Sequence, residues 1–187
     1  VGEDIKRYEI EFKGRYLIWT YVGVPIHRYP AIFKHLKQYQ ARLEKRWDKG
    51  EHWWELRPCD YYEDFAKPKV ILPDIAVEAR ATYDCEKLFV SNTAYIIATS
   101  DIWLVALLNS RLLNWWYSQR SALYRGGYAR FIYQYLVGIP IRRIAFITPQ
   151  AMRARLAEKG KQLYREALER GGHTNNPNRE RKTDRDD

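Results

Sequence analysis

The chain has 187 residues, 46% of them hydrophobic and 29% charged, which suits a globular protein that buries about two-thirds of its unfolded surface. A formal net charge of +9 points to an acidic partner, nucleic acid first among them. Two cysteines, Cys59 and Cys85, make no disulfide framework, no apolar run could span a bilayer, and no secretory leader is visible; disulfide-scaffold and membrane classes are excluded and a cytoplasmic location is expected.

The chain opens at Val1 rather than Met, as expected of a piece of something longer or of a processed product. After a polar lead-in, residues 16–24 (YLIWTYVGV) read as a strand by their β-branched and aromatic content, ended by Pro25. Residues 29–49 read as a helix: Pro30 suits the first turn, Ile32, Phe33, Leu36, Tyr39, Leu43 and Trp47 form an apolar stripe, and Gly50 follows as a stop. Residues 53–57 (WWELR) are a short strand candidate. Residues 70–72, between Pro68 and Pro73, read as another strand, followed by candidates at 80–82, 88–90 and 94–99.

Ser100 or Asp101 is placed to cap a helix running to about Gln119, whose nearly all-round apolar set, Trp115 and Trp116 included, marks it as the buried centre. Asn109-Ser110 reads as a structural pair within or at the edge of that helix. Gly126-Gly127 marks a turn, 131–137 is ambiguous, and 139–144 is extended through Pro140. Thr148-Pro149 opens a third helix, with Met152, Leu156, Leu163, Ala167 and Leu168 inward and Gly171-Gly172 at its end. The expected architecture is α+β: a domain of mixed short strands with two main helices over 1–147, a C-terminal helix over 148–170, and a disordered polar tail over 171–187.

From Ile102 to Leu156 there is no acidic residue, and all the formal charge is arginine: Arg111, Arg120, Arg125, Arg130, Arg142, Arg143, Arg153 and Arg155. Arginine forks match phosphate oxygens and guanine edges, and without carboxylates their fields add. Within this stretch Arg125-Gly126-Gly127-Tyr128-Ala129-Arg130 combines charge, backbone freedom and an aromatic ring. Glycines let the backbone approach a phosphate, and the two arginines can neutralise phosphates or read a base. A tight turn with solvated arginines accounts for the same residues equally well.

Other chemistry is poorly supported. The His and Cys residues have no paired ligand spacing for a metal. There is no Gly-x-Ser-x-Gly elbow and no P-loop. Asn175-Asn176-Pro177-Asn178 lacks the second proline and the aromatic of an adenine-methyltransferase strip. Pro73-Asp74 with Glu78-Ala79-Arg80 suggests a PD…ExK nuclease, but the acids are too close for facing strands and Arg80 stands where lysine is needed.

The order of several motifs resembles the TaqI-like C-terminal specificity domain, the target-recognition part of N6-adenine DNA methyltransferases and of fused type IIG restriction–modification enzymes. The landmarks are Gly2-Glu3-Asp4-Ile5-Lys6-Arg7-Tyr8, Leu43-Glu44-Lys45-Arg46 with 53–56, Lys67-Pro68-Lys69-Val70-Ile71, Asn92-Thr93-Ala94-Tyr95-Ile96-Ile97, Leu107-Leu108-Asn109-Ser110, Arg125-Gly126-Gly127 with Arg130-Phe131, and Ile139-Pro140-Ile141. Collinear over residues 1–144, they depart from the family at Glu3, where arginine is usual.

The resemblance implies a non-catalytic, sequence-specific reader of double-stranded DNA. Its partner would be an N-terminal methyltransferase domain of the same parent chain, which would hold S-adenosylmethionine and could be fused to an endonuclease. The expected DNA contacts are Arg125, Gly126, Gly127, Tyr128 and Arg130, then Lys6 and Arg7 in the opening motif, then Arg120. Arg28, Lys34 and Lys37 form a basic helix face that solvation alone also explains. The alternatives are a protein-interaction module using the C-terminal helix and a metal-dependent nuclease using Asp74 and Glu78.

Overall fold

A computed structural model describes residues 1–121, 123, 126–141 and 150–169, without the side chains of 167 and 168. The chain is α+β and divides into two compact units. One joins Val1–Gly14 to the chain from Asp64 onward; the other is Arg15–Glu63.

The first unit is built around an antiparallel three-stranded sheet in which β3 (Lys69–Pro73) lies between β5 (Thr82–Asp84) and β6 (Ala94–Ala98). A central strand covered on both faces needs an unbroken apolar run, and Val70-Ile71-Leu72 supplies it. Lys69, in the same strand, is also fully buried. Its ammonium donates to the Phe65 carbonyl and to the Asp84 carboxylate, so the charge is paired and hydrogen-bonded, as a buried charge must be. Asp84 also accepts from the Glu86 and Leu88 amides. That recruitment explains why 88–90, expected as a strand, is irregular: the Leu88 amide is taken by a side chain.

The opening motif forms a small hairpin, β1 (Ile5–Lys6) against β2 (Glu9–Ile10). It is fastened to the sheet where the Gly2 amide donates to Thr93 Oγ1 at 2.8 Å, and a side chain at Gly2 would run into the Thr93 carbonyl. Two motifs about ninety positions apart thus meet.

The long helix expected to Gln119 is two helices, α3 (Trp103–Leu108) and α4 (Arg111–Ser118). Neither Ser100 nor Asp101 caps α3. The break comes at Asn109-Ser110, which is structural as its sequence context indicates. Asn109 turns its side chain onto the Ala81 backbone, and Ser110, in extended geometry, caps α4 by accepting from the Leu113 amide. Leu104, Val105, Leu108 and Leu113 enter the core with Val70 and Ala81. Each such aliphatic side chain contributes about 1.5–3 kcal/mol on burial. Trp115 is 61% exposed, contrary to its expected place in the core, because α4 buries the face carrying Leu113 and Tyr117 instead.

β4 (Ile75–Ala76) pairs antiparallel with β7 (Ala129–Arg130), which follows α4, and a short α5 (Tyr133–Leu136) resolves the ambiguous 131–137 stretch. The last helix, α6 (Gln150–Glu169), packs on α3. Its inward face matches the expected one only in part, with Leu163 half-buried. Met152 and Leu156 are exposed, while Gly160 is buried against Trp103 and the Tyr164 hydroxyl donates to the Tyr83 carbonyl at 2.9 Å. A glycine lets the two backbones approach where an aliphatic side chain would hold them apart. Ala167 and Leu168, the Thr148-Pro149 start, the Gly171-Gly172 end and the polar tail lie outside the described residues or side chains.

The second unit is mostly irregular. Residues 16–24 form no strand: Leu56 donates to the Thr20 carbonyl and Thr20 Oγ1 to the Trp54 carbonyl, but Gly23 at φ +81° turns the chain before a ladder can grow. Residues 53–57 are likewise not a strand. The expected helix over 29–49 is interrupted, giving α1 (Pro30–Lys37) and α2 (Gln40–Glu44) with a non-helical Tyr39 between them. Trp47 falls beyond α2 and is 93% exposed rather than part of an inward stripe. Glu55, 1% exposed, organises the unit by accepting from the Gly23 and His52 amides.

Candidate nucleic-acid interface

The arginine-rich turn is carried by the β4–β7 ribbon of the first unit. Ile75 faces Arg130, Ala76 faces Ala129, and Leu123 bridges to Ala129 on the other side. Gly126 and Gly127 follow at φ +81° and +76°, backbone conformations that glycine adopts without strain. Both are exposed, as is Tyr128, whose ring lies over Gly126. Ala129 and Phe131, on either side of the half-buried Arg130, are buried. Arg125, the foremost expected contact, lies outside the described residues.

Arg130 is gripped rather than extended toward solvent. Its Nε and Nη2 donate to Asp74 Oδ1 at 3.2 and 3.1 Å, and Nη2 also donates to Oδ2 at 2.9 Å. The Tyr117 hydroxyl donates to the Arg130 carbonyl, and the Tyr117 ring stacks on Phe131 at 4.5 Å. Burial pushes the Tyr117 phenol well above its ordinary value.

The opening-motif cations also have work inside the unit. Arg7 donates to the Asn109 carbonyl at 2.7 Å and lies 3.5 Å from Glu78. Lys6 donates to the Glu3 carbonyl at 2.8 Å and faces Glu11 at 3.7 Å. Arg120, just past the end of α4, is exposed and lies over the Trp116 ring at 4.3 Å. A guanidinium held on an indole face keeps its edge N–H groups directed outward for an oxygen acceptor. In the second unit Arg28 and Lys37 are exposed, and α1 carries Lys34, His35 and Lys37 with no acidic residue.

Asp74 and Glu78, the pair that suggested a nuclease, each face an arginine. Among the described residues no three His, Cys, Asp or Glu side chains converge as metal ligands would. The described helices include none long and apolar enough to cross a membrane. Pattern reading missed the two acid–arginine pairs, since each joins residues far apart in the chain. The exposed Trp115 and Leu112 it missed because α4 is a separate helix with its own buried face.

The TaqI-like C-terminal specificity domain matches residues 1–141. The type II methyltransferase M.PaeR7I of Pseudomonas aeruginosa is 31% identical over 172 residues, covering 83% of this chain and 29% of that protein. The type II methyltransferase M.XhoI of Xanthomonas vasicola is 27% identical over 145 residues, covering 72% of this chain and 26% of that protein. The chain thus spans less than a third of the curated relatives it matches.

Proposed function

Because the chain belongs to the TaqI-like C-terminal specificity domain family, we propose that it reads duplex DNA sequence for a restriction–modification N6-adenine methyltransferase. The observation that carries this reading is the exposed Gly126-Gly127-Tyr128 turn, anchored at its base and set within a long stretch of chain whose only charges are arginines. Phosphate contacts from Arg120 and Arg125 would set the register, and side chains around the turn would choose the site. Lys6 and Arg7 of the opening motif would add further DNA contacts, Arg7 while also holding the Asn109 carbonyl.

In this reading the chain binds and orients DNA, while base flipping and methyl transfer belong to a methyltransferase domain that is its partner. S-adenosylmethionine would be held by that partner domain as well. The protein would act in the cytoplasm.

The test is binding of the chain to random duplex DNA across a salt series, followed by selection of preferred sites. Micromolar or tighter affinity at about 50 mM salt, falling steeply as salt rises, is expected. Selection should then return one short, adenine-containing site. Binding with no salt dependence, or selection that returns no common site, would overturn the reading.

A further inference from the structure

We propose that Asp74 is a positioning residue for DNA reading: through Arg130 it locks the base of the Gly126–Tyr128 turn to the central sheet. This rests on the DNA-recognition reading above.

Asp74 stands between β3 and β4, and every one of its polar groups is used. Its amide donates to the Thr93 carbonyl at 2.9 Å, which ties it to the edge of β6. Its carbonyl accepts from the Phe131 amide at 2.6 Å, and both carboxylate oxygens accept from the Arg130 fork. One residue therefore joins the three-stranded sheet to β7 through both backbone and side chain. The carboxylate is 15% exposed and the Arg130 side chain 36%, so the pair is shielded enough to be held in one geometry. A two-pronged arginine–carboxylate pair fixes the guanidinium plane as well as its distance.

Electrostatics points the same way. A lone carboxylate at the foot of a phosphate-facing turn would repel DNA, whereas one spent on Arg130 does not. The converse holds for Arg130, whose fork is occupied and whose carbonyl is held by Tyr117. Arg130 thus serves DNA through the shape of the turn, and Gly126, Gly127 and Tyr128 form the part that projects.

The experiment compares Asp74→Asn, Asp74→Glu, Arg130→Gln and the Asp74→Asn/Arg130→Gln double variant in the full chain. Two readouts are needed: amide hydrogen exchange, and affinity for a selected duplex against a random one. Asp74→Asn is expected to speed exchange at Phe131 by about ten-fold or more while Val70 and Ile71 stay protected. The selected-to-random affinity ratio should fall by about ten-fold, with random-duplex affinity nearly unchanged, and the double variant should be no worse than either single one. Asp74→Glu should recover part of both losses.

Unaltered exchange at Phe131 would overturn the lock. Faster exchange with an intact affinity ratio would overturn its role in reading. An additive loss from Arg130→Gln, with a shallower salt slope, would make Arg130 itself a phosphate contact and overturn the proposal. Absence of DNA binding by the unaltered chain would instead overturn the DNA reading, and the exchange data would still decide whether the lock exists.

Discussion

The Asn109 side chain forms a closed pair with the backbone of Ala81: Oδ1 accepts from the Ala81 amide and Nδ2 donates to the Ala81 carbonyl, both at 2.8 Å. This buried amide ends α3, satisfies the strand leading into β5, and leaves the Asn109 carbonyl to receive Arg7. Asn109→Asp keeps the acceptor but turns an oxygen toward the Ala81 carbonyl. A loss of about 2–3 kcal/mol in unfolding free energy is expected, read as a lower denaturant midpoint at constant slope.

Gly160 presents an instructive conflict. In an exposed helix Gly→Ala would stabilise by about 1 kcal/mol. Here a Cβ would lie 2.8 Å from the Trp103 Cα, a backbone atom that cannot swing aside. Gly160→Ala is therefore expected to destabilise, by about 1–3 kcal/mol, and Gly160→Leu by more. Thermal unfolding of both variants checks this; an unchanged or higher midpoint for the alanine variant would show that α6 does not depend on the close approach.

Glu55 predicts a pH dependence for the second unit. Burial works against its charge, but the Gly23 and His52 amides and the adjacent His52 outweigh that cost and hold the carboxyl below the usual carboxylate range. A carboxylate depressed on folding contributes stability that is fully present above its unfolded value and is lost as pH falls through the folded one. Stability of the unit should thus hold above about pH 5 and decline below about pH 4.5. Glu55→Gln should be less stable at neutral pH and should flatten the acid limb, followed by amide hydrogen exchange at Gly23 and His52, whose amides the carboxylate holds.

Arg120 on Trp116 offers the most direct probe of phosphate contact. Arg120→Ala is expected to weaken binding to random duplex DNA by about five-fold and to reduce the log–log salt slope by about one. Arg120→Lys should retain part of the slope but lose the stacked orientation. An unchanged slope in the alanine variant would remove Arg120 from the interface.

Sequence alone determined the α+β class, β3 and β6, the Gly-Gly turn, the structural Asn109-Ser110 pair and the collinear family motifs. All of these are written in short windows, as an apolar run between prolines, a glycine pair or an ordered set of local patterns. Windows of that size report on neighbours along the chain. They carried too far over 29–49 and 100–119, where helical periodicity continues through residues that leave the helix.

Only the tertiary structure decided how the charges are spent. Asp74 meets Arg130, Glu78 meets Arg7, Lys69 meets Asp84, and α6 approaches α3 through Gly160, which was not among the residues expected to face inward. Each of these joins residues that no local pattern relates. An arginine in the sequence is equally suited to phosphate or carboxylate. Which one it meets depends on what the folded chain brings within about 3 Å of its fork, because a charge-assisted hydrogen bond forms only at that range.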